Sequence, residues 1–238
     1  MNCDFFSTFA GEMDIRKYKA ALFDMDGVLY DSMKNHATAW CATMSDYGIN
    51  MTREDAFALE GMRGIDTILH VARLNGRDDI TAEEAQLMYN EKTRRYTALA
   101  RGGSSLIPHV KDLQRLLLSL GLKVGVVTGS GQPTLLGGLR RDFEGLVSPD
   151  IIVSALDVSH GKPHPEPYLQ GMKKAGSTPD TTIVIENAPL GVKAAKAAGC
   201  YCIAVNTGPL PDSVLLSAGA DEVFPDMLAA IEAVNSSK

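Results

Sequence analysis

The sequence predicts an α/β protein: a parallel, Rossmann-like sheet core flanked by helices, with a helical cap inserted after the first strand. Short, nearly continuous apolar runs alternate with helical segments, the pattern of strands buried on both faces. Several of these runs end at a small or acidic residue, where an open parallel sheet holds its ligands. About ninety residues separate the first run from the second, far more than a crossover helix needs.

The first strand is Ala20-Ala21-Leu22-Phe23, leading into Asp24. The interval that follows reads as helical throughout, with segments at 36–47, 52–59, 66–74 and 81–100. We assign residues 32–104 to the cap, and 1–31 with 105–238 to the core. Residues 1–18 are expected to be a frayed N-terminal extension. Arg101-Gly102-Gly103-Ser104-Ser105 closes the cap and has the composition of a hinge. The remaining strands are expected at Lys123-Val124-Gly125-Val126-Val127, Ile151-Ile152-Val153, Thr182-Ile183-Val184-Ile185, Cys202-Ile203-Ala204-Val205 and, more weakly, Glu222-Val223-Phe224.

The bulk numbers narrow the function. With 238 residues the chain fits one sizeable domain, or a core with an insertion. A formal charge of −6 argues against a broad nucleic-acid surface. An anionic small substrate remains compatible, because a metal ion and a few cations reverse the field locally. No run of 18 apolar residues exists, so no membrane span is expected, and the N-terminus lacks the pattern of a signal peptide. The four cysteines, Cys3, Cys41, Cys200 and Cys202, form no CxxC pair; a reduced, cytoplasmic setting is the simpler reading. Cys200 and Cys202 are expected to share one strand face as small core thiols.

Chemistry concentrates at the strand ends. In Asp24-Met25-Asp26-Gly27, two carboxylates two residues apart on extended chain point to one side. Such closeness favours a bound cation or one raised pKa, although a lone DxD is more often a solvated turn. Thr128-Gly129-Ser130-Gly131 offers a hydroxyl and backbone N–H groups before a helix, either a phosphate cradle or an ordinary cap. In Gly161-Lys162-Pro163-His164-Pro165-Glu166-Pro167 the prolines restrain the chain around Lys162, which would neutralise phosphate and aspartate together. Glu186-Asn187-Ala188-Pro189 opens an alanine-rich helix that ends at Gly199, and Asn187 reads as a cap, a metal ligand or both.

Taken together, DMDGVLYDS, VVTGS, GKPHPEPYL and ENAPLGVKAAKAAG resemble the haloacid dehalogenase-like superfamily, in its β-phosphoglucomutase-like branch. The resemblance runs from about Tyr18 to the C-terminus and includes the position of the cap. It implies that Asp24 is the nucleophile toward phosphorus. Asp26 would act as acid and base, with its backbone carbonyl helping to hold Mg2+. Thr128 would bind the phosphoryl group, with Gly129 and Ser130 beside it, and Lys162 would bridge phosphoryl group and Asp24. Glu186 and Asn187 fall at the metal-binding motif, where many relatives carry an acidic pair. Asn187 brings no charge, and Glu60 in the cap loop is the candidate to restore it; Glu60 reads equally as a solvated helix-end carboxylate. Relatives with this Glu and Asn combination resemble inorganic pyrophosphatases.

His36, Lys92 and Arg63 fall where this branch places cap residues near substrate. Tyr89, Lys92 and Tyr96 share a helix face by spacing, and Trp40 is expected in the cap core. The leading expectation is a Mg2+-dependent phosphohydrolase acting through an aspartyl-phosphate on pyrophosphate or a small phosphate ester. The alternatives are a sugar-phosphate mutase and a non-catalytic binding protein.

Overall fold

The computed structural model describes residues 13–131 and 133–237. Cys3 and most of the expected N-terminal extension lie outside the described residues. Six strands form one all-parallel sheet in the order β3-β2-β1-β4-β5-β6. They are β1 Ala20–Phe23, β2 Lys123–Val127, β3 Ile152–Val153, β4 Thr182–Glu186, β5 Tyr201–Val205 and β6 Glu222–Phe224.

Alternation along the strands builds two cores. Ala21, Phe23, Val126, Ile185 and Ile203 face α5 (Val110–Ser119), α6 (Pro133–Asp142) and α10 (Met227–Ser236). Ala20, Leu22, Val184, Cys202 and Ala204 face α7 (Glu166–Ala175), α8 (Pro189–Ala197) and α9 (Asp212–Ala218). Cys200 and Cys202 are buried in this second core, as their spacing predicts.

One expectation is corrected. Residues 13–18 are not a frayed extension: Met13, Ile15 and Tyr18 are buried in the first core, and Ile15 N–H donates to the carbonyl of Ser237 at 3.2 Å. An apolar side chain every two or three residues, close to the first strand, is enough to dock this segment.

Between β1 and β2 the chain forms α1 (Met33–Asp46), α2 (Arg53–Ala58), α3 (Gly64–Leu74) and α4 (Ala82–Leu99). Met33, Ala37, Trp40 and Met44, spaced by three and four, give α1 one apolar stripe. It packs on Phe57, Ile68, Val71, Ala85 and Met88 to make a core separate from the sheet, joined by Leu210 from the loop after β5. Capping boxes at Thr52 with Asp55 and at Thr81 with Glu84 start α2 and α4.

The entry to and exit from this helical insertion run side by side. Asp31 N–H donates to the Ser105 carbonyl at 2.8 Å, and Ile107 N–H to that of Leu29 at 3.0 Å. Gly103 sits at φ +79°, and neither Gly102 nor Gly103 has an atom within 4 Å of where a Cβ would lie. We propose that this paired entry and exit, with the exposed Arg101 to Gly103 turn beside it, is the hinge of the cap. Gly102→Pro should then change kcat and KM together in steady-state assays; an unchanged pair of constants would remove the hinge assignment.

Candidate active site

β1 lies at the point where the sheet order reverses, with β2 on one side and β4 on the other. Phe23 is level with Val126 and with Ile185, so the next residue, Asp24, emerges between two strand ends. Its side chain is 3% exposed and accepts a hydrogen bond from Lys162 Nζ. The same ammonium donates to Glu186 Oε1 at 2.6 Å and to the Val127 carbonyl at 3.2 Å.

Glu186 lies behind this pair. Oε1 also accepts from the Tyr168 hydroxyl at 2.6 Å, and Oε2 accepts from the backbone N–H groups of Asn187 and Ala188 at 3.0 and 3.3 Å. Both oxygens are occupied, and Glu186 does not line the cavity. In this arrangement Glu186 contacts Lys162 and the backbone behind the cavity rather than the cavity itself.

The second aspartate meets the cap. Asp26 Oδ1 accepts from Ser32 Oγ at 2.5 Å and lies 3.2 Å from His36 Nε2. His36 Nδ1 is 2.7 Å from Lys92 Nζ, and the imidazole stacks on Tyr96 with centroids 3.9 Å apart. Lys92 Nζ also sits 4.8 Å from the centre of the Trp40 ring. Trp40 belongs to the cap core as expected, yet it also lines the cavity.

Glu60 reaches across from the cap. It is 7% exposed, and its Oε2 accepts from Asn187 Nδ2 at 3.0 Å. Glu60 Oε1 and Asn187 Oδ1 are buried without a hydrogen-bond partner. Gly27 makes this approach possible: at φ +81°, a Cβ there would come within 2.1 Å of Asn187 Nδ2. Asn187 does not cap α8; that position is Ala188.

Thr128, Gly129 and Ser130 follow β2. Ser130 N–H donates to Thr128 Oγ1 at 3.0 Å, and Gly129 and Ser130 line the cavity. Gly129 must be small, because a Cβ would lie 2.7 Å from the Gly61 carbonyl of the cap loop. Arg63 is placed elsewhere: its guanidinium donates to the Ser159 carbonyl on the Lys162 loop, outside the cavity lining. The cavity has a volume of about 60 Å³ and is bordered by Asp24, Asp26, His36, Glu60 and Lys92.

The charges are unbalanced. Burial above all, helped by Glu186 and Asp26, outweighs Lys162 and pushes the Asp24 carboxyl up to about 8. Burial, then Asp24 and Asp26, drives Glu60 far above the usual range. Burial would also raise Asp26, but His36, Ser32 and Lys92 hold it below its ordinary value. Lys92 is itself lowered to about 8 by burial. Four largely buried carboxylates thus face two buried ammonium groups. Two orphaned oxygens and a deficit of positive charge suit a hard divalent cation with oxygen ligands.

Ser32 and Tyr168 were not singled out from the sequence. Both lie inside quoted motifs, Ser32 at the end of DMDGVLYDS and Tyr168 in GKPHPEPYL, and that placement was the available signal.

Comparison with known proteins agrees with this geometry. The profile of the haloacid dehalogenase-like hydrolases matches residues 21–205. Hexitol phosphatase A of Escherichia coli is 34% identical over 190 residues, covering 79% of this chain and 83% of its own length. Phosphoglycolate phosphatase of the same organism is 27% identical, covering 80% and 82%. A solved structure of a candidate β-phosphoglucomutase from Bacteroides vulgatus superposes with a TM-score of 0.86 at 44% identity, covering 92% of this chain and 90% of that one. Among the described residues no helix is long and apolar enough to cross a membrane. The chain is an enzyme of the haloacid dehalogenase-like hydrolase family, in its β-phosphoglucomutase-like branch.

Proposed function

We propose that the protein is a Mg2+-dependent phosphohydrolase that works through an aspartyl-phosphate on Asp24, with inorganic pyrophosphate as its first substrate and small phosphate esters as its second. The observation that carries this reading is the contact of Glu60 with Asn187, which delivers a cap carboxylate beside two core aspartates. A compact substrate of high charge density makes most use of an extra acidic cation ligand. The cavity of about 60 Å³ is far below the roughly 300–1,000 Å³ of clefts that enclose larger ligands, which favours pyrophosphate over a hexose phosphate.

The cation would be held by Asp24, the backbone carbonyl of Asp26, Asn187 Oδ1 and Glu60 Oε1. When bound, it supplies charge neutralisation for the phosphoryl oxygens and keeps Asp24 ionised. An Asp24 carboxylate oxygen forms the bond to phosphorus as the bond to the leaving oxygen breaks. Asp26, held ionised at rest by its cap contacts, first takes up a proton through His36, whose Nε2 lies 3.2 Å from Oδ1; it passes that proton to the leaving oxygen, then takes one from the water that attacks the aspartyl-phosphate, which returns Asp24. Lys162 holds the Asp24 carboxylate in place, and the Thr128 to Ser130 turn offers a hydroxyl and N–H groups to the phosphoryl oxygens. His36 and Lys92 position Asp26 when the cap is seated. The thiols of Cys41, Cys200 and Cys202 are free, in keeping with the reduced cytoplasmic setting we propose.

The likeness to the Bacteroides vulgatus protein supports a second reading, a sugar-phosphate mutase that uses the same nucleophile. Phosphate release with Mg2+ from pyrophosphate, hexose phosphates, hexitol phosphates and phosphoglycolate separates the two. Pyrophosphate is expected to give the highest kcat/KM; interconversion of hexose phosphates without phosphate release would replace the hydrolase reading.

Glu60 gives the finer test. Glu60→Gln should raise the Mg2+ concentration for half-maximal activity, and reduce pyrophosphate hydrolysis more than that of a simple monoester. Asn187→Asp should partly restore Mg2+ affinity in the Glu60→Gln background, with non-additive effects because the two residues share one ion. Additive effects and an unshifted Mg2+ dependence would show that Glu60 is not a ligand.

A further inference from the structure

A second cluster with metal-binding chemistry lies outside the cavity, on the loop that carries the catalytic lysine. His160, His164 and Glu166 each present one ligand atom, and these atoms lie within 4.8 Å of one another. Among the described residues this is the one trio of His, Cys, Asp or Glu side chains that meets that spacing. None of the three enters the phosphoryl-transfer chemistry, and none lines the cavity.

The donors are already gathered. Glu166 Oε1 accepts from Ser159 N–H at 2.8 Å and Oε2 from His160 N–H at 2.9 Å, so two backbone bonds fix the carboxylate. His160 Nδ1 lies 3.0 Å from Glu166 Oε2, and the two imidazoles lie 4.6 Å apart, centre to centre. The loop is tied down by the prolines around it and by Glu166 at the start of α7. Both histidines are exposed, so solvent and ions reach them.

We propose that His160, His164 and Glu166 form a site for a borderline transition-metal ion of the Zn2+, Ni2+ or Co2+ class, distinct from the Mg2+ site. Two imidazoles and one carboxylate are a common zinc donor set, leaving a fourth position for water. Nitrogen donors also discriminate against Mg2+, which prefers oxygen. On binding, the ion takes His160 Nδ1, and the proton there moves to Nε2 of a neutral ring or to solvent from a charged one. The site sits two residues from Lys162 on either side and next to Ser159, whose carbonyl receives Arg63 from the cap. A bound ion therefore clamps the segment that carries the catalytic ammonium and receives the cap.

The test uses untagged full-length protein and Zn2+ titrated by calorimetry in millimolar Mg2+, which occupies the oxygen site. One equivalent of Zn2+ is expected to bind. His160→Gln and His164→Gln should each weaken this binding by at least the roughly 10–100-fold that loss of even an outer partner costs. Both variants should keep the wild-type circular dichroism spectrum. Zn2+ should raise the melting temperature of the wild type but not of the double variant. Zn2+ binding that survives both substitutions, or no binding by the wild type under these conditions, would overturn the proposal.

Discussion

Asp24→Asn should lower kcat by roughly 10³-fold or more while the fold persists. The substitution exchanges one carboxylate oxygen for an amide nitrogen, so the volume at the end of β1 is kept and only the nucleophile goes. Losses of this order are what removal of an attacking group produces in enzymes that form a covalent intermediate. The structural consequence is expected to run in the opposite direction. Asp24 stands among Asp26, Glu60 and Glu186, and burial, helped by Glu186 and Asp26, already pushes its carboxyl up to about 8. Removing one of four crowded acids relieves repulsion, so the melting temperature measured without Mg2+ should be unchanged or higher. Activity above a tenth of wild type, with the expected fold confirmed by circular dichroism, would show that Asp24 is not the nucleophile.

The sheet and most of the site were legible because their signals are local. Asp24 and Asp26 follow an apolar run, Lys162 sits among prolines, and Asn187 precedes a helix; strand-end position and spacing are readable one segment at a time. The helical insertion was equally visible, since Met33, Ala37, Trp40 and Met44 form a helical stripe. What was not legible depends on contacts between distant segments. Glu186 reads as a metal ligand in sequence, and only the placement of Tyr168 and Lys162 on Oε1 and of two backbone N–H groups on Oε2 shows both its oxygens occupied. Arg63 reads as a substrate contact, but its guanidinium crosses to Ser159, 96 residues away. Residues 13–18 read as an extension because a single short turn carries too few apolar positions for a periodic signal. Glu60 is the reverse case: its sequence left two readings open, and its burial against Asn187 favours the ligand.

Lys162→Met is expected to affect both catalysis and stability, and the two can be separated. Lys162 is 2% exposed and donates to Asp24, to Glu186 and to the Val127 carbonyl, with its ammonium 5.1 Å from the centre of the Tyr168 ring. Methionine fills similar space but carries no charge, so two buried carboxylates lose their common partner. Breaking a buried pair in this way costs about 3–5 kcal/mol, to be read as a lower midpoint in urea unfolding without Mg2+. Catalysis should fall by roughly 10³-fold, because Asp24 then holds a proton more firmly and the incoming phosphate meets unscreened negative charge. A second substitution tells a catalytic role from a structural one. In Lys162→Met with Glu186→Gln, one of the orphaned charges is neutralised while the Tyr168 hydroxyl still has an oxygen to bond. Stability should recover in part, since the two positions share one ion pair. The loss in kcat should not recover, since no cation returns to Asp24. If kcat rises in step with the urea midpoint, Lys162 acts only by holding the fold, and the charge that supports attack on phosphorus comes from elsewhere.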